Sequence, residues 1–243
     1  MNDKKTYAHQ WKVSSKHFYE NDYYKWMTLQ ISQFKTVLEL GCGAGYSTLS
    51  LLKEGHKVIA IDKNDECISI AKNRIVEAGF SVGNDSNSDV IFIVADFVNT
   101  DFYEKYLSGL SFDVVLCWNV GTHDGFDVRK HYHPFLLEYG LNEYQIIQNW
   151  ESSYAELILW KACLLASKCA VPCHIIDRSQ EGLNESNNDY YSSLGSECKY
   201  TKMMVNNLPA TSISLGGRTL ISNGKPIKER TISTVLISVL YFN

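Results

Sequence analysis

Proline is scarce in this chain, at four of 243 residues, and no segment repeats itself or is low in complexity. A proline-rich linker or a repeat array is therefore excluded, and a single domain over residues 1–243 is the expectation. Long apolar runs are missing as well: no stretch of about 18 apolar residues occurs, so no helical membrane span is expected. The first residues, Met1-Asn2-Asp3-Lys4-Lys5-Thr6, lead into polar and aromatic positions and not into the apolar core of a secretory signal. A cytoplasmic location is the expectation. Positive charge is not in excess, with 23 Lys and Arg against 27 Asp and Glu and a net charge of −4. A tight, sequence-independent grip on long nucleic acid needs a basic face, so that class is not favoured.

Paired cysteine motifs are also absent. The seven cysteines are odd in number and contain no C-x-x-C pair, which suggests neither a disulfide framework nor a zinc ribbon. Several lie in apolar runs, as Cys117 does in Val114-Val115-Leu116-Cys117-Trp118, and read as reduced, buried, mildly hydrophobic residues.

What is present is alternation. Residues 1–35 are rich in aromatics (Trp11, Phe18, Tyr19, Tyr23, Tyr24, Trp26) and read as two short helices, a helical lid or extension. Residues 36–179 then switch between short apolar runs and helical patterns: strands at 36–40, 57–61, 90–95, 112–118 and 170–177, and helices at 46–54, 65–78, 100–107 and 141–167. Strands so uniformly apolar are buried on both faces, as in a parallel sheet covered by helices. Residues 81–88 read as a turn-rich loop, 121–140 as a loop or insertion, and 180–197 as loop with one short helix. In residues 199–242, short β-branched runs at 199–208, 211–215, 218–222 and 231–242, with an Asn223-Gly224 turn, predict antiparallel strands.

The sharpest motif is Val37-Leu38-Glu39-Leu40-Gly41-Cys42-Gly43-Ala44-Gly45. A strand runs into three glycines at alternate positions, where the backbone turns tightly against a ligand before a helix begins. The dinucleotide fingerprint, G-x-G-x-x-G, is missing its third glycine, because position 46 is Tyr. Glu39, two residues before the first glycine, would repel a pyrophosphate but suits the cationic amino-acid end of S-adenosylmethionine. The second strand ends at Asp62-Lys63, where a carboxylate can accept hydrogen bonds from ribose hydroxyls. The third ends at Asp96-Phe97, an acceptor and an apolar face for adenine. The fourth ends at Asn119-Val120, lining the floor under the methyl donor.

Together these residues resemble the class I (Rossmann-like) S-adenosylmethionine-dependent methyltransferases over residues 35–121, and more loosely over 141–177. The resemblance implies a doubly wound, mostly parallel seven-stranded sheet with helices on both faces and an antiparallel C-terminal hairpin. It implies that Glu39, Gly41, Cys42, Gly43 and Gly45 cradle the methionine part, Asp62 and Lys63 the ribose, and Asp96 and Phe97 the adenine. Asn119 and Val120 would form the floor and Trp11 part of a lid, where an aromatic face attracts the sulfonium. S-adenosylhomocysteine would be the product.

One absence narrows the acceptor. The Asn/Asp-Pro-Pro-aromatic motif of amino-methyltransferases is replaced by Asn119-Val120-Gly121-Thr122, and no Pro-Cys pair follows. The expectation is methyl transfer to O or N of a small molecule. An RNA- or protein-modifying enzyme, supported by Arg218, Lys225, Lys228 and Arg230, and an inactive adenosylmethionine-binding module are the alternatives. His123 is the candidate general base, oriented by Asp124 or Asp127. His123, Asp127, His131 and His133 have some appeal as a metal set if extended, but lack a definite ligand spacing, so no metal is expected.

Overall fold

The computed structural model describes residues 3–85, 87–120, 126–213, 221–222, 225–226 and 230–243. The N-terminal aromatics form α1 (Asp3–Glu20) and α2 (Tyr23–Leu29), broken at Asp22, whose φ is +58°. Alternation then follows with β1 (Thr36–Leu40), α3 (Tyr46–Lys53), β2 (Lys57–Asp62), α4 (Asp65–Glu77), β3 (Val82–Gly83), β4 (Val90–Val94) and β5 (Val114–Trp118). Next come α5 (Phe126–Glu138), α6 (Glu143–Gln148), α7 (Trp150–Lys168), β6 (Cys173–Ser179), α8 (Asp189–Glu197), β7 (Lys202–Ile213), the short pair β8 (Ile221–Ser222) and β9 (Lys225–Pro226), and β10 (Thr231–Phe242).

The main sheet has the order β3-β4-β2-β1-β5-β6-β10-β7. Strands β3 to β6 pair in parallel, and β10 inserts antiparallel between β6 and β7. The expected seven strands are all there; the eighth, β3, is a two-residue edge strand inside the segment read as a loop. The chain leaves β1 toward β2 and β4 on one side and returns to β5 on the other. The crevice above the carboxyl ends of β1 and β5 is therefore the topological switch point, where open α/β sheets bind ligands.

Alternate side chains of the central strands feed two cores. Val37, Val58, Val114, Leu116 and Trp118 pack with α1–α4, whereas Leu38, Leu40, Ile61, Val115 and Cys117 pack with α5–α8. Leu38 and Leu40 are almost wholly buried, each contributing roughly 2 kcal/mol of apolar transfer. The seven cysteines are free, and all but the half-buried Cys169 are buried. Among the described residues, no helix is long and apolar enough to cross a membrane.

Four local expectations change. Residues 126–138, read as loop, are helical despite Pro134, because Val128, Tyr132 and Leu136 line up on one face and the last two are buried. The long helix expected over 141–167 is two: Asn142 and Gln145 form a capping box for α6, and Asn149, at φ −130°, separates it from α7. The helix expected over 100–107 is a single wide turn at Tyr103–Leu107. The strands expected on either side of Pro209 are one strand, β7, which lies at the sheet edge where a missing N–H costs no ladder bond.

Candidate functional site

The turn after β1 is held from beneath: the N–H groups of Gly41 and Cys42 both donate to the Ile61 carbonyl, at 2.8 and 2.9 Å. All three glycines have positive φ, but they are needed for different reasons. A Cβ on Gly41 would come within 2.8 Å of Val120, and one on Gly45 within 2.7 Å of the Ala71 methyl in α4, whereas one on Gly43 would meet nothing within 4 Å. Gly41 and Gly45 thus close the turn against its neighbours, and Gly43 leaves open space. The Cys42 side chain is 3% exposed, and burial raises its thiol well above the ordinary range; the backbone is its contribution to the turn.

Glu39 is 2% exposed and points to the α3 face. Ser47 donates to one carboxylate oxygen through a short hydrogen bond, and Thr48 to the other at 2.6 Å. Burial pushes its pKa up to about 7, against the lowering effect of the two hydroxyls. Asp62 accepts from the Gly43 N–H at 2.9 Å and the Asn64 N–H at 2.8 Å, so it ties the glycine turn to the start of α4. Burial raises its pKa also, opposed by those two N–H groups. Each carboxylate oxygen keeps a lone pair for a further donor.

The next residues are organised from far along the chain. Lys63 donates to the Tyr132 and Tyr154 hydroxyls, both at 2.9 Å, with its ammonium over both rings. Burial lowers its pKa, and Asp96 and Asp62 pull the other way. Asp96 accepts a short hydrogen bond from Tyr132 and one of 3.1 Å from the Val98 N–H. Phe97 packs edge-on to Phe102.

Two adjoining cavities flank Gly41 and Val120. One is lined by Tyr7, Trp11, Ser15, Tyr24, Gly41 to Ala44, Ser47, Trp118 and Asn119. The other is lined by Tyr7, Asp62, Lys63, Ala95, Asp96, Phe97, Tyr154 and Ile158. Asn119 stands at the end of β5 with φ +49°, and both polar atoms of its amide are buried without a hydrogen-bond partner among the described residues. A buried amide in this state calls for a ligand that both donates and accepts.

Of the expected residues, Trp11, Cys42, Gly43 and Asn119 line the first cavity, Asp62, Lys63, Asp96 and Phe97 the second, and Gly41 and Val120 both, whereas Glu39 and Gly45 line neither. His123 and Asp124 lie outside the described residues. His131 and His133 are on a helix and not in an extended segment, so they diverge: His131 is 3.5 Å from Asp96, and His133 bonds Glu143 at 2.8 Å. No group of three potential metal ligands occurs among the described residues. Sequence reading missed Tyr7, which borders both cavities, and Tyr132, Tyr154 and Ile158, which carry no motif. The Ser47-Thr48 pair, in the first turn after the glycines, did offer a signal.

Residues 37–133 match the family model described as a methyltransferase domain. A curated relative, the probable ribosomal RNA small subunit methyltransferase A of Methanosphaera stadtmanae, is 30% identical over 86 residues, which span 35% of this chain and 29% of the relative. Among solved structures, an S-adenosylmethionine-dependent methyltransferase from Agrobacterium tumefaciens superposes with a TM-score of 0.51 at 16% identity, covering 93% of this chain and 62% of that one. Magnesium protoporphyrin IX methyltransferase from Synechocystis PCC 6803, solved with S-adenosylmethionine bound, gives 0.46 at 11% identity, covering 93% and 79%. The strand order and the switch-point turn agree with the domain match: residues 37–133 carry the methyltransferase domain, on a Rossmann-like sheet.

Proposed function

We propose that this protein transfers a methyl group from S-adenosylmethionine to an oxygen or nitrogen of a small-molecule acceptor. The observation that carries the reading is the pair of cavities meeting at Gly41, one lined by Asp62 at the end of β2 and the other by Ser47, whose hydroxyl donates to the buried Glu39. The residues fit the donor. Gly43 leaves room for a ligand, Asp62 has spare acceptor capacity for ribose hydroxyls, and Ala95, Phe97 and Ile158 offer an apolar slot for adenine. The unpartnered Asn119 amide faces the other cavity.

When bound, the sulfonium donor supplies an activated methyl group and a good leaving group. The chain's own work is then alignment and exclusion of water. The glycine turn admits close approach, Glu39 provides a compensating negative group, and Tyr7, Trp11, Tyr24 and Trp118 wall the cavity with aromatic surface. A base at His123, oriented by Asp124, is needed only where the acceptor arrives protonated.

The test is calorimetry with S-adenosylmethionine and S-adenosylhomocysteine, followed by a radiolabelled methyl-transfer screen over small molecules, RNA and protein. Micromolar binding lost by a factor of about 30–100 in Asp62→Ala is expected, the scale of a lost charge-assisted hydrogen-bond pair. Binding indifferent to that substitution would sink the reading. RNA is the second reading, favoured by the relative named as a ribosomal RNA methyltransferase. Of its basic group, Arg218 and Lys228 lie outside the described residues, Lys225 is in β9 and Arg230 is exposed. Label appearing in RNA and in no metabolite would select it.

A further inference from the structure

His174 is the second residue of β6 and has no exposed surface, yet it is polar at both ends of its ring. The Trp118 indole Nε1–H donates to its Nδ1 at 3.0 Å, and its Nε2 lies 2.8 Å from the Ser238 hydroxyl oxygen. Indole nitrogen can only donate, so Nδ1 is the bare nitrogen and Nε2–H donates to Ser238. Burial pulls the imidazole down to about 3, which leaves it neutral across the working range. The register puts the three residues on one face: Trp118 beside Ile176, His174 beside Leu116, and Ser238 beside Ile176. A polar chain thus crosses three strands within a layer that leucine or phenylalanine would fill without desolvation cost.

The chain ends on a functional surface. Trp118 lines the cavity shared by the glycine turn, Trp11 and Asn119. Rotating the indole away would strand both its N–H and Nδ1 in the core, so the chain fixes the ring. Donating to a strong acceptor also polarises the indole and makes its π face richer in electrons, which strengthens attraction for a cation. The two ligands of a methyl-donor site differ in charge at one atom: the donor is a sulfonium cation and the product a neutral thioether.

We propose that Trp118 discriminates the cationic donor from its neutral product, and that His174 and Ser238 are the positioning residues that hold and polarise it for this task. The inference rests on the methyl-donor reading above. Ser238 acts one step removed, by keeping the proton on Nε2; the other tautomer would set Nδ1–H against the indole N–H.

The experiment is calorimetry of S-adenosylmethionine and S-adenosylhomocysteine with the full chain and its variants, reading the ratio of the two affinities. His174→Phe is expected to lower the donor-to-product ratio by roughly three- to tenfold, the range of a partly desolvated cation–π contact. His174→Asn, whose Oδ1 sits where Nδ1 was, is expected to restore most of it, and Ser238→Ala to give a smaller drop. In ¹⁵N-labelled protein, the Trp118 indole proton, assigned with Trp118→Phe, is expected to exchange slowly with water and to shift in His174→Phe. Should His174→Phe fail to fold, Ser238→Ala and Trp118→Phe carry the same ratio test. Unaltered ratios in the folded variants, with both ligands bound, overturn this inference and leave the donor reading standing. Absence of binding to the wild-type chain overturns both.

Discussion

The two ends of the ligand crevice are built in opposite ways. At the glycine-turn end, Glu39 is held by Ser47 and Thr48, eight and nine residues away, and one β-turn-α unit supplies the carboxylate, its hydroxyl partners and the open space beside Gly43. At the Lys63 end, the ammonium is held by tyrosines 69 and 91 residues away, on two helices from the other half of the chain. The first is a local device that forms when β1 and α3 form. The second exists only when the α5–α7 layer has docked on the sheet. The difference teaches that one cavity is shaped by backbone chemistry and the other by packing of the two halves.

That contrast can be broken at its local end first. Gly45→Val forces a β-branched residue into a left-handed conformation and a Cβ to within 2.7 Å of Ala71. The expected loss is roughly 4 kcal/mol of stability, from backbone strain and overpacking together, read as a lower urea midpoint. An unchanged midpoint would show that α3 and α4 yield.

Glu39 gives the next effect, through pH. Its folded-state pKa, about 7, stands above the ordinary value of 4.5. The folded chain therefore holds this proton more tightly than the unfolded chain. Glu39's contribution is fully present below the ordinary value and is lost as pH rises through about 7. Between pH 5 and 8 the wild type should lose roughly 3 kcal/mol more than Glu39→Gln, by urea unfolding at each pH. Donor binding should release a proton near neutrality, because a cationic ligand favours the carboxylate. Equal pH slopes in the two proteins would refute the assignment.

At the packed end, effects are smaller and fall more on binding. Lys63→Met keeps the stem but removes a buried ammonium whose desolvation opposed its hydrogen bonds. Stability should change by no more than about 1 kcal/mol, while donor affinity by calorimetry falls about tenfold. Tyr132→Phe is the mildest. It deletes the donor to Asp96 and one acceptor of Lys63, and should cost about 1 kcal/mol by thermal unfolding. If Lys63→Met instead proves as disruptive as Gly45→Val, the packed end is as much a folding element as the turn.

Legibility in the sequence follows the same divide. Glu39, the glycines, Asp62, Asp96 and Asn119 stood out because each lies at or next to the carboxyl end of a strand, where open α/β sheets bind ligands. Tyr132, Tyr154 and Ile158 could not, since a tyrosine inside a helical stretch reads as ordinary core until its hydroxyl has a partner. Helix α5 was hidden by Pro134 and by polar neighbours, and only its packing on α7 makes Tyr132 and Leu136 an inner face. The continuity of β7 through Pro209 could not be read either, because a proline's cost depends on whether its strand lies at an edge.

By itself, then, the sequence determined the strand–turn–helix unit around residues 36–63, the acids at successive strand ends and the parallel sheet they belong to. These rest on short-range stereochemistry: where φ must be positive, where apolar runs must be buried, and where a carboxylate tolerates neighbours. Only the tertiary structure decided which tyrosines hold Lys63, how far Asp96 is already engaged, and that His174 stands behind Trp118. Those facts depend on the depth to which each group is taken out of water and on which partner waits there, and neither is set by neighbours along the chain.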